Sequence, residues 1–313
     1  MMGPWAEVIK TVLPVFLVIG IGVLCRSRNL ISREGITALK NTAVNICLPA
    51  VLFRAFATTS YGLTDILIPV VMFAICVLGW YLGRLGSRFL RLNSRFVPFL
   101  TTGFEAGMLG YALFQMLFGE DRVASFARID LGQVLFVFTL YKFLLGMSTG
   151  KEADSRKLFR EMVTSPIVIA IVAGVLFGAT GLFRALEPSG VSGVLEACAD
   201  LIAAPTSVLI LLAIGYDLVL KDIPWRATLR TTALRILIMA VLYAVFRLIL
   251  HLLGLERDML DAANLMFLLP PPFVLPVFAD DAEQRAGVSS ALSVSTLVTI
   301  AGFCVLAVLH GGV

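Results

Sequence analysis

Two apolar stretches of the chain contain residues that would break a membrane helix. The first, NLMFLLPPPFVLPVF at residues 264–278, has Pro270, Pro271, Pro272 and Pro276 in its middle and near its end. Proline lacks a backbone N–H and clashes with the preceding helical turn, so this segment should be broken. A break exposes N–H groups at the start of a half-helix, and these groups with the helix dipole suit a carboxylate. The proline run therefore predicts an anion site, and a simple kink is the alternative.

The second stretch, FVPFLTTGFEAGMLGYALFQMLF at residues 96–118, contains Gly103, Gly107 and Gly110. These glycines predict a second break. We place the crossing point of the two breaks at Gly107 to Gly110 and at Pro270 to Pro272. A glycine packing face without a break is the alternative.

Glu105 lies inside the second stretch and is the leading functional candidate, because an ionisable group within a membrane is costly and usually functional. Without a partner in a low-dielectric site its carboxyl group favours the protonated form, and beside a cation it stays ionised. Glu105 would then bind a coupling proton or sodium ion, or pair with a cationic substrate. The structural alternative is a salt bridge to Lys142 or Arg54.

Other polar residues divide into site candidates and structural residues. The predicted substrate site comprises Asn45, Thr102, Glu105, Gly107, Gly110, Tyr111, Pro270, Pro271 and Pro272. Contacts between helices or positions near the ends of spans are predicted for Gln115, Gln133, Lys40, Asp130, Asp217 and Arg247.

The composition places these residues in a membrane protein. Hydrophobic residues make up 59% of the chain and charged residues 15%, against about 45–50% and about 25% in soluble domains. Apolar runs close to the roughly 20 residues of a membrane helix recur along the chain. We predict ten spans, at residues 8–24, 36–56, 66–82, 96–118, 126–145, 167–183, 195–214, 234–253, 259–278 and 288–309.

The remaining composition argues against several kinds of ligand. The five cysteines have no metal-site spacing and there are only two histidines, so we expect no cofactor other than a coupling H+ or Na+. In a chain this apolar, the net charge of +4 does not indicate nucleic acid. The expected partners are a small-molecule substrate and membrane lipid.

Lysine and arginine concentrate in alternate loops, which the positive-inside rule assigns to the cytoplasm. The outer loops and their edges then hold few basic residues, namely Arg122, Arg128, Arg184 and Arg257. This pattern predicts that both termini face outward. We expect a multi-pass protein of the bacterial inner (plasma) membrane, without a separable signal peptide.

The two halves of the chain are alike. PVFLVIGIGVL from Pro14 matches PIVIAIVAGVL from Pro166, and Pro49 corresponds to Pro205. With five spans in each half, these matches predict an inverted repeat, the organisation of many secondary transporters. The predicted fold is all-α, with ten spans in a 5+5 inverted repeat and broken, crossing helices at spans 4 and 9. The predicted division is 1–149 for the first repeat, 150–163 for a cytoplasmic loop and 164–313 for the second repeat.

Several motifs, in this order and spacing, resemble the auxin efflux carrier family, which includes plant auxin carriers and bacterial malate and malonate carriers. They are NICLPAVLFRAF (45–56), GFEAGMLGYALF (103–114), SPIVIAIVAGVLFG (165–178), LLPPPFVLPVFADDAE (268–283) and SSALSVSTLVTI (289–300). The resemblance implies a scaffold domain, a transport domain whose crossed helices bind substrate, elevator-like motion and a homodimer.

The sequence departs from this family at three positions. Glu105 stands where the family usually has Asn, Ala112 where it has Pro, and Val274 at a position that is often polar. An acid thus replaces a neutral amide that would contact substrate. Because an acid can pair with a cation, a cationic or zwitterionic substrate is an alternative to an organic anion.

We therefore expect a secondary transporter of a small organic anion, such as a dicarboxylate or an auxin-like acid, rather than an enzyme. No Ser–His pair or Asp dyad lies at the middle of the predicted spans. A sodium- or proton-coupled symporter of the bile-acid type is one alternative. A sensor or channel without transport is another.

Overall fold

The computed structural model describes residues 4–58, 62, 64–92, 94–149, 156, 160, 163–218, 223–279 and 281–311. Within these ranges the chain is helical and contains no strand. The predicted cytoplasmic loop at 150–163 lies almost entirely outside the described residues.

The helices of the described ranges follow one another with short connections. In chain order they are α1 (Pro4–Ser27), α2 (Arg33–Ala57), α3 (Thr64–Phe89), α4 (Val97–Leu100), α5 (Ala106–Phe118), α6 (Val123–Ser148), α7 (Pro166–Ala179), α8 (Leu182–Ala185), α9 (Val191–Ala203), α10 (Thr206–Asp217), α11 (Trp225–Leu252), α12 (Glu256–Met266) and α13 (Ala282–Gly311). Short 3₁₀ turns cover Glu120–Arg122, Glu187–Ser189 and Leu275–Phe278.

Six helical segments in the described ranges are long and apolar enough to cross a membrane: Arg33–Ala57, Ile66–Phe89, Val123–Ser148, Val191–Asp217, Trp225–Leu252 and Ala282–His310. The pair Pro166–Ala179 and Leu182–Ser189, bent by 65°, would add one span. The all-α, multi-pass membrane fold is therefore confirmed. The remaining predicted spans fall on α1 and on the two interrupted segments around α4–α5 and α12, so the count of ten stays a prediction.

The chain divides into two compact units, and each unit draws on both halves of the sequence. Unit 1 comprises Met1–Ile66, Gly107–Ala127 and Arg160–Leu218. Unit 2 comprises Leu67–Ala106, Arg128–Phe159 and Val219–Val313. The sequence-based division at residue 150 follows the proposed repeat, whereas the compact units cut across it.

Unit 1 contains two closely packed helix pairs, and each pair joins a helix from the first half of the sequence to a helix from the second half. Helix α1 packs on α10, and α7 packs on α2. Glycine permits the close approach in both pairs: a Cβ atom at Gly22 would lie 2.2 Å from the Leu212 carbonyl oxygen, and one at Gly174 would lie 2.8 Å from the Phe53 carbonyl oxygen. Small residues let helix backbones approach closely in membranes, where dispersion contacts replace hydrophobic driving force.

Two ion pairs also connect the helices of unit 1. Lys40 of α2 pairs with Asp217 of α10, and Arg54 of α2 pairs with Asp200 of α9. Lys40 and Asp217 thus have the structural role that their positions near span ends predict. Arg54, an alternative partner for Glu105 in the sequence, pairs with Asp200 in the structure.

Unit 2 is built around α11 and α13. These helices pack on each other, both contact the short helix α4, and both contact α12. The two long helices therefore support the segments that precede the two breaks in the chain.

Replacing Gly22 by alanine should loosen the α1–α10 contact and lower the thermal unfolding midpoint of the detergent-solubilised protein. Forcing a methyl group against the Leu212 carbonyl should cost about 1–3 kcal/mol. Gly20→Ala is the matched control, because a Cβ atom there meets nothing within 4 Å. Alanine is the better helix former by about 1 kcal/mol, so the control should be neutral or stabilising. Equal losses in the two variants would contradict the close packing.

Candidate functional site

The fourth predicted span is broken between α4 and α5. Helix α4 ends at Leu100, residues 101–105 are not helical, and the helical path resumes at Ala106 with a π-helical turn. Gly103 has a φ of +67°, a left-handed conformation that glycine adopts without strain and that ends a helix. The predicted crossing point at Gly107 to Gly110 is wrong, because these residues lie in the π turn. The non-helical backbone is one turn earlier, where the left-handed glycine stands.

The ninth predicted span is broken by the proline run, as the sequence predicts. Helix α12 ends at Met266, and 3₁₀ structure resumes only at Leu275. Pro270, Pro271 and Pro272 lie in the non-helical part and are buried.

The two breaks contact each other within unit 2. The backbone N–H of Glu105 donates to the Pro270 carbonyl at 2.8 Å. The backbone N–H of Phe273 donates to Oε2 of Glu105 at 2.5 Å. Gly103 lies against Pro272, whose Cγ atom would be 3.0 Å from a Cβ atom on the glycine. Glu105 therefore joins the breaks through both its backbone and its carboxylate.

Arg235 of α11 stabilises the carbonyl groups beside both breaks. Its guanidinium donates to the carbonyl oxygens of Leu100 at 3.1 Å, Gly103 at 2.9 Å and Leu269 at 2.8 Å. The side chain is only 4% exposed. The negative ends of α4 and α12 lie at these carbonyls, so a cation there is favourable. Our sequence reasoning missed Arg235, although a charged residue inside the eighth predicted span was the signal that could have found it.

Three further side chains donate to carbonyls in or beside the breaks. They are Gln133 Nε2 to Phe104 O at 2.9 Å, Tyr141 Oη to Phe99 O at 3.1 Å and Thr299 Oγ1 to Leu268 O at 2.5 Å. Irregular backbone at membrane depth is tolerated only when protein groups or water satisfy it. Side chains of α6, α11 and α13 donate the hydrogen bonds that the carbonyl groups at the breaks need.

Gln133 and Asp130 of α6 form a buried polar pair. Gln133 donates to the Asp130 carboxylate at 3.0 Å as well as to Phe104, so it connects α6 with the non-helical residues of the first break. Asp130 is 2% exposed. Asp130 thus has a structural role, as predicted, with its carboxylate buried inside the protein beside Gln133.

The predicted site residues of unit 2 differ in accessibility. Thr102 is fully buried and donates to the Cys76 carbonyl at 2.6 Å. Glu105 is half-buried, in contrast to the buried prolines. The structure brings Glu105, Pro270 and Pro272 together, and Glu105 is the titratable, partly accessible group among them.

The other predicted site residues belong to unit 1. Asn45 is exposed and lies in a π-helical turn, Ala43–Cys47. Gly107 is half-buried near Leu48, and Gly110 is buried. Tyr111 is 1% exposed and packs edge-on against Phe126, with the ring centroids 4.9 Å apart.

Replacing Arg235 by methionine should destabilise the protein strongly, because three buried carbonyls lose their donor at about 1–3 kcal/mol each. Arg235→Lys should recover part of the loss, since one ammonium group cannot reproduce the planar guanidinium fork. Thermal unfolding in detergent measures both effects. Arg230→Met on the same helix is the control, because Arg230 is exposed. A midpoint for Arg235→Met that matches this control would contradict the role of Arg235.

The chain was also compared with known proteins. Its residues 7–306 match the model of a family described as membrane transport protein. Comparison with curated proteins gave no match. Since the family match covers nearly the whole length, the chain belongs to the membrane transport protein family of the auxin efflux carriers, as its motifs predict, and it is a membrane transporter.

Proposed function

We propose that the protein is a secondary transporter of a small organic anion, a carboxylate-bearing metabolite such as a dicarboxylate or an auxin-like acid. The observation that carries this proposal is the pair of hydrogen-bonded breaks in unit 2. Substrate sites of secondary transporters commonly lie where discontinuous helices meet near the middle of the membrane. Glu105, Pro270, Pro271 and Pro272 are the residues of unit 2 that we assign to this site.

The bond from Phe273 to Glu105 supports a carboxylate as the recognised group. The Phe273 N–H lies just before the helical turn Leu275–Phe278, and its acceptor is already a carboxylate. A hydrogen bond from a backbone N–H to a carboxylate is charge-assisted and about twice as strong as one between neutral groups. A substrate carboxylate would compete with Glu105 for this donor.

This competition suggests how a proton could be coupled to the anion. When Glu105 takes up a proton, its carboxyl group becomes a weaker acceptor, and the Phe273 N–H becomes available to the substrate. One proton and one carboxylate would then bind together and leave together. Glu105 is half-buried, in contrast to the buried prolines beside it.

Two features of the fold support the finer architecture that the sequence predicts. The exchanged contacts α1–α10 and α7–α2 are those expected of an inverted repeat, in which spans 1 and 2 correspond to spans 6 and 7. Gly22 and Gly174 also differ by the same 152 residues as Pro14 and Pro166. These observations support ten spans arranged as two repeats of five.

Unit 2 contains both breaks and their hydrogen-bond partners, so it could carry a bound substrate as one body. This supports the elevator type of alternating access that the family resemblance implies. We further propose a homodimer in the bacterial inner membrane with both termini outside. Thr102, Gly107, Gly110, Tyr111 and Asn45 remain proposed site residues.

A sodium- or proton-coupled symporter of the bile-acid type, or a carrier of a cationic or zwitterionic substrate, is the second candidate. The observation in its favour is the partly accessible carboxylate of Glu105 at the crossing. In that case the cation would bind to Glu105 directly. The substrate would not need a carboxylate that replaces Glu105 as the acceptor of the Phe273 N–H.

Thermal stabilisation of the purified protein separates the anion carrier from a sodium-coupled or cation-binding alternative. A ligand that binds the folded protein raises its unfolding midpoint by mass action. A panel of dicarboxylates, aromatic acids and cationic metabolites, with sodium and pH varied, should give stabilisation by carboxylates that strengthens at acid pH. Stabilisation by sodium or by cations alone would exclude the anion carrier and favour the alternative.

Replacing Glu105 by glutamine should flatten the pH dependence of uptake into proteoliposomes while the fold is kept. Glutamine retains an oxygen that can accept the Phe273 N–H, but it does not titrate. Glu283→Gln is the matched control, because Glu283 is an exposed acid at the start of α13 in the same unit. A pH profile for Glu105→Gln that is indistinguishable from that of this control would exclude a coupling role for Glu105.

A further inference from the structure

Unit 2 contains a cavity that is distinct from the crossing of the two breaks. Its volume is about 470 Å³, and it lies between α11, α13 and the end of α12. Glu105 and the proline run do not line it, whereas Arg235 does. The cavity therefore borders the second break through Leu268 and Leu269, and it shares the side chain of Arg235 with the site.

The cavity opens on a face of the protein suited to the hydrocarbon of a bilayer. Ile236 and Val305 line it and are 50% and 59% exposed. Most of the interior is apolar, with Met239, Phe267 and Leu268 contributing to the wall. A ligand with a hydrocarbon body can enter such a cavity sideways from the membrane.

Thr232 provides a buried hydroxyl without a partner at one end of this cavity. The residue is 5% exposed, and its Oγ1 atom has no hydrogen bond among the described residues. Other helical threonines of this protein, Thr37, Thr42 and Thr296, donate to the carbonyl four residues earlier. Buried polar atoms in folded proteins are nearly always satisfied. The hydroxyl of Thr232 is thus available to a polar group of a ligand.

Arg235 stands one turn after Thr232 and supplies the positive charge in the cavity wall. Its three hydrogen bonds to carbonyls occupy three of the five N–H groups of a guanidinium. One N–H on Nη1 and the N–H on Nε are left over. Because a buried cation favours an anionic partner, the chemistry at this end of the cavity is that of a carboxylate site.

The far end of the cavity is marked by a second polar pair. Tyr243 donates to Oδ1 of Asn264 at 2.5 Å, and both residues line the cavity. Tyr243 follows Arg235 by eight residues, which is about 12 Å along a helix. That length suits a hydrocarbon chain of medium size whose carboxylate lies at Arg235.

We propose that this cavity is a second ligand site, which binds an amphipathic monocarboxylic acid of the fatty-acid type taken from the bilayer. Its carboxylate contacts the Thr232 hydroxyl and the Arg235 guanidinium, and its chain follows the apolar wall of α11. The head group of an intact phospholipid does not fit, because Arg235 lies about 15 Å from the start of α11, well inside the span. The occupant also differs from the transported anion, which binds at the breaks.

The test uses the full-length protein in nanodiscs of zwitterionic lipid and decanoate as the probe. Binding of radiolabelled decanoate is measured with 1-decanol and decylamine as competitors. We expect saturable binding of decanoate that neither competitor displaces at equal concentration. Displacement by 1-decanol as effective as that by unlabelled decanoate would show an apolar groove without anion recognition, and would overturn the proposal.

Two variants locate the binding without altering the breaks. Thr232→Val removes the hydroxyl and keeps the shape, so affinity should fall about tenfold, the equivalent of one lost hydrogen bond to a charged group. Ala240→Phe places a ring at the cavity wall and should abolish binding. Thr231→Val is the control, because Thr231 is buried on the same helix but does not line the cavity. Unchanged decanoate affinity in both Thr232→Val and Ala240→Phe would overturn the proposal.

Discussion

The organisation of unit 2 depends on one electrostatic constraint, the need to satisfy backbone carbonyl groups where α4 and α12 end at the two breaks. A bilayer offers no water to these groups, so the protein must supply the donors. Arg235 supplies three hydrogen bonds from one side chain, to carbonyls on both interrupted segments. Its own burial would be costly alone, and the partial negative charge at the two helix ends offsets that cost.

Two further side chains donate hydrogen bonds to carbonyl groups at the breaks. Gln133 of α6 and Thr299 of α13 each bind a carbonyl beside one break. The two donors are separated by 166 residues and their acceptors, Phe104 and Leu268, by 164. A helix of each half thus supports the break of its own half at nearly the same position. This correspondence is further support for an inverted repeat, although the side chains that form the two contacts are different.

Glu105 joins the two breaks in a way that a neutral amide would reproduce only in part. Its carboxylate accepts the Phe273 N–H, which holds the start of the helical turn after the proline run. The same group is only half-buried. A residue that is both a structural acceptor and a titratable group would couple the state of the site to pH. The cavity behind Arg235 adds a second means by which a ligand could affect the same carbonyls.

The sequence by itself determined the membrane fold, the presence of both breaks and the position of an acid, Glu105, in one of them. Runs of apolar residues, a cluster of prolines and an acid inside a span have local physical consequences that no distant contact can reverse. The position of the break in the fourth predicted span could not be determined from the local sequence. Gly103, Gly107 and Gly110 are equivalent by composition, whereas in the structure Gly103 is the left-handed one of the three and lies against Pro272. The roles of Arg235 and Asp130 were likewise decided by tertiary structure, because the cost of a buried charge depends on which donors and acceptors the fold places around it.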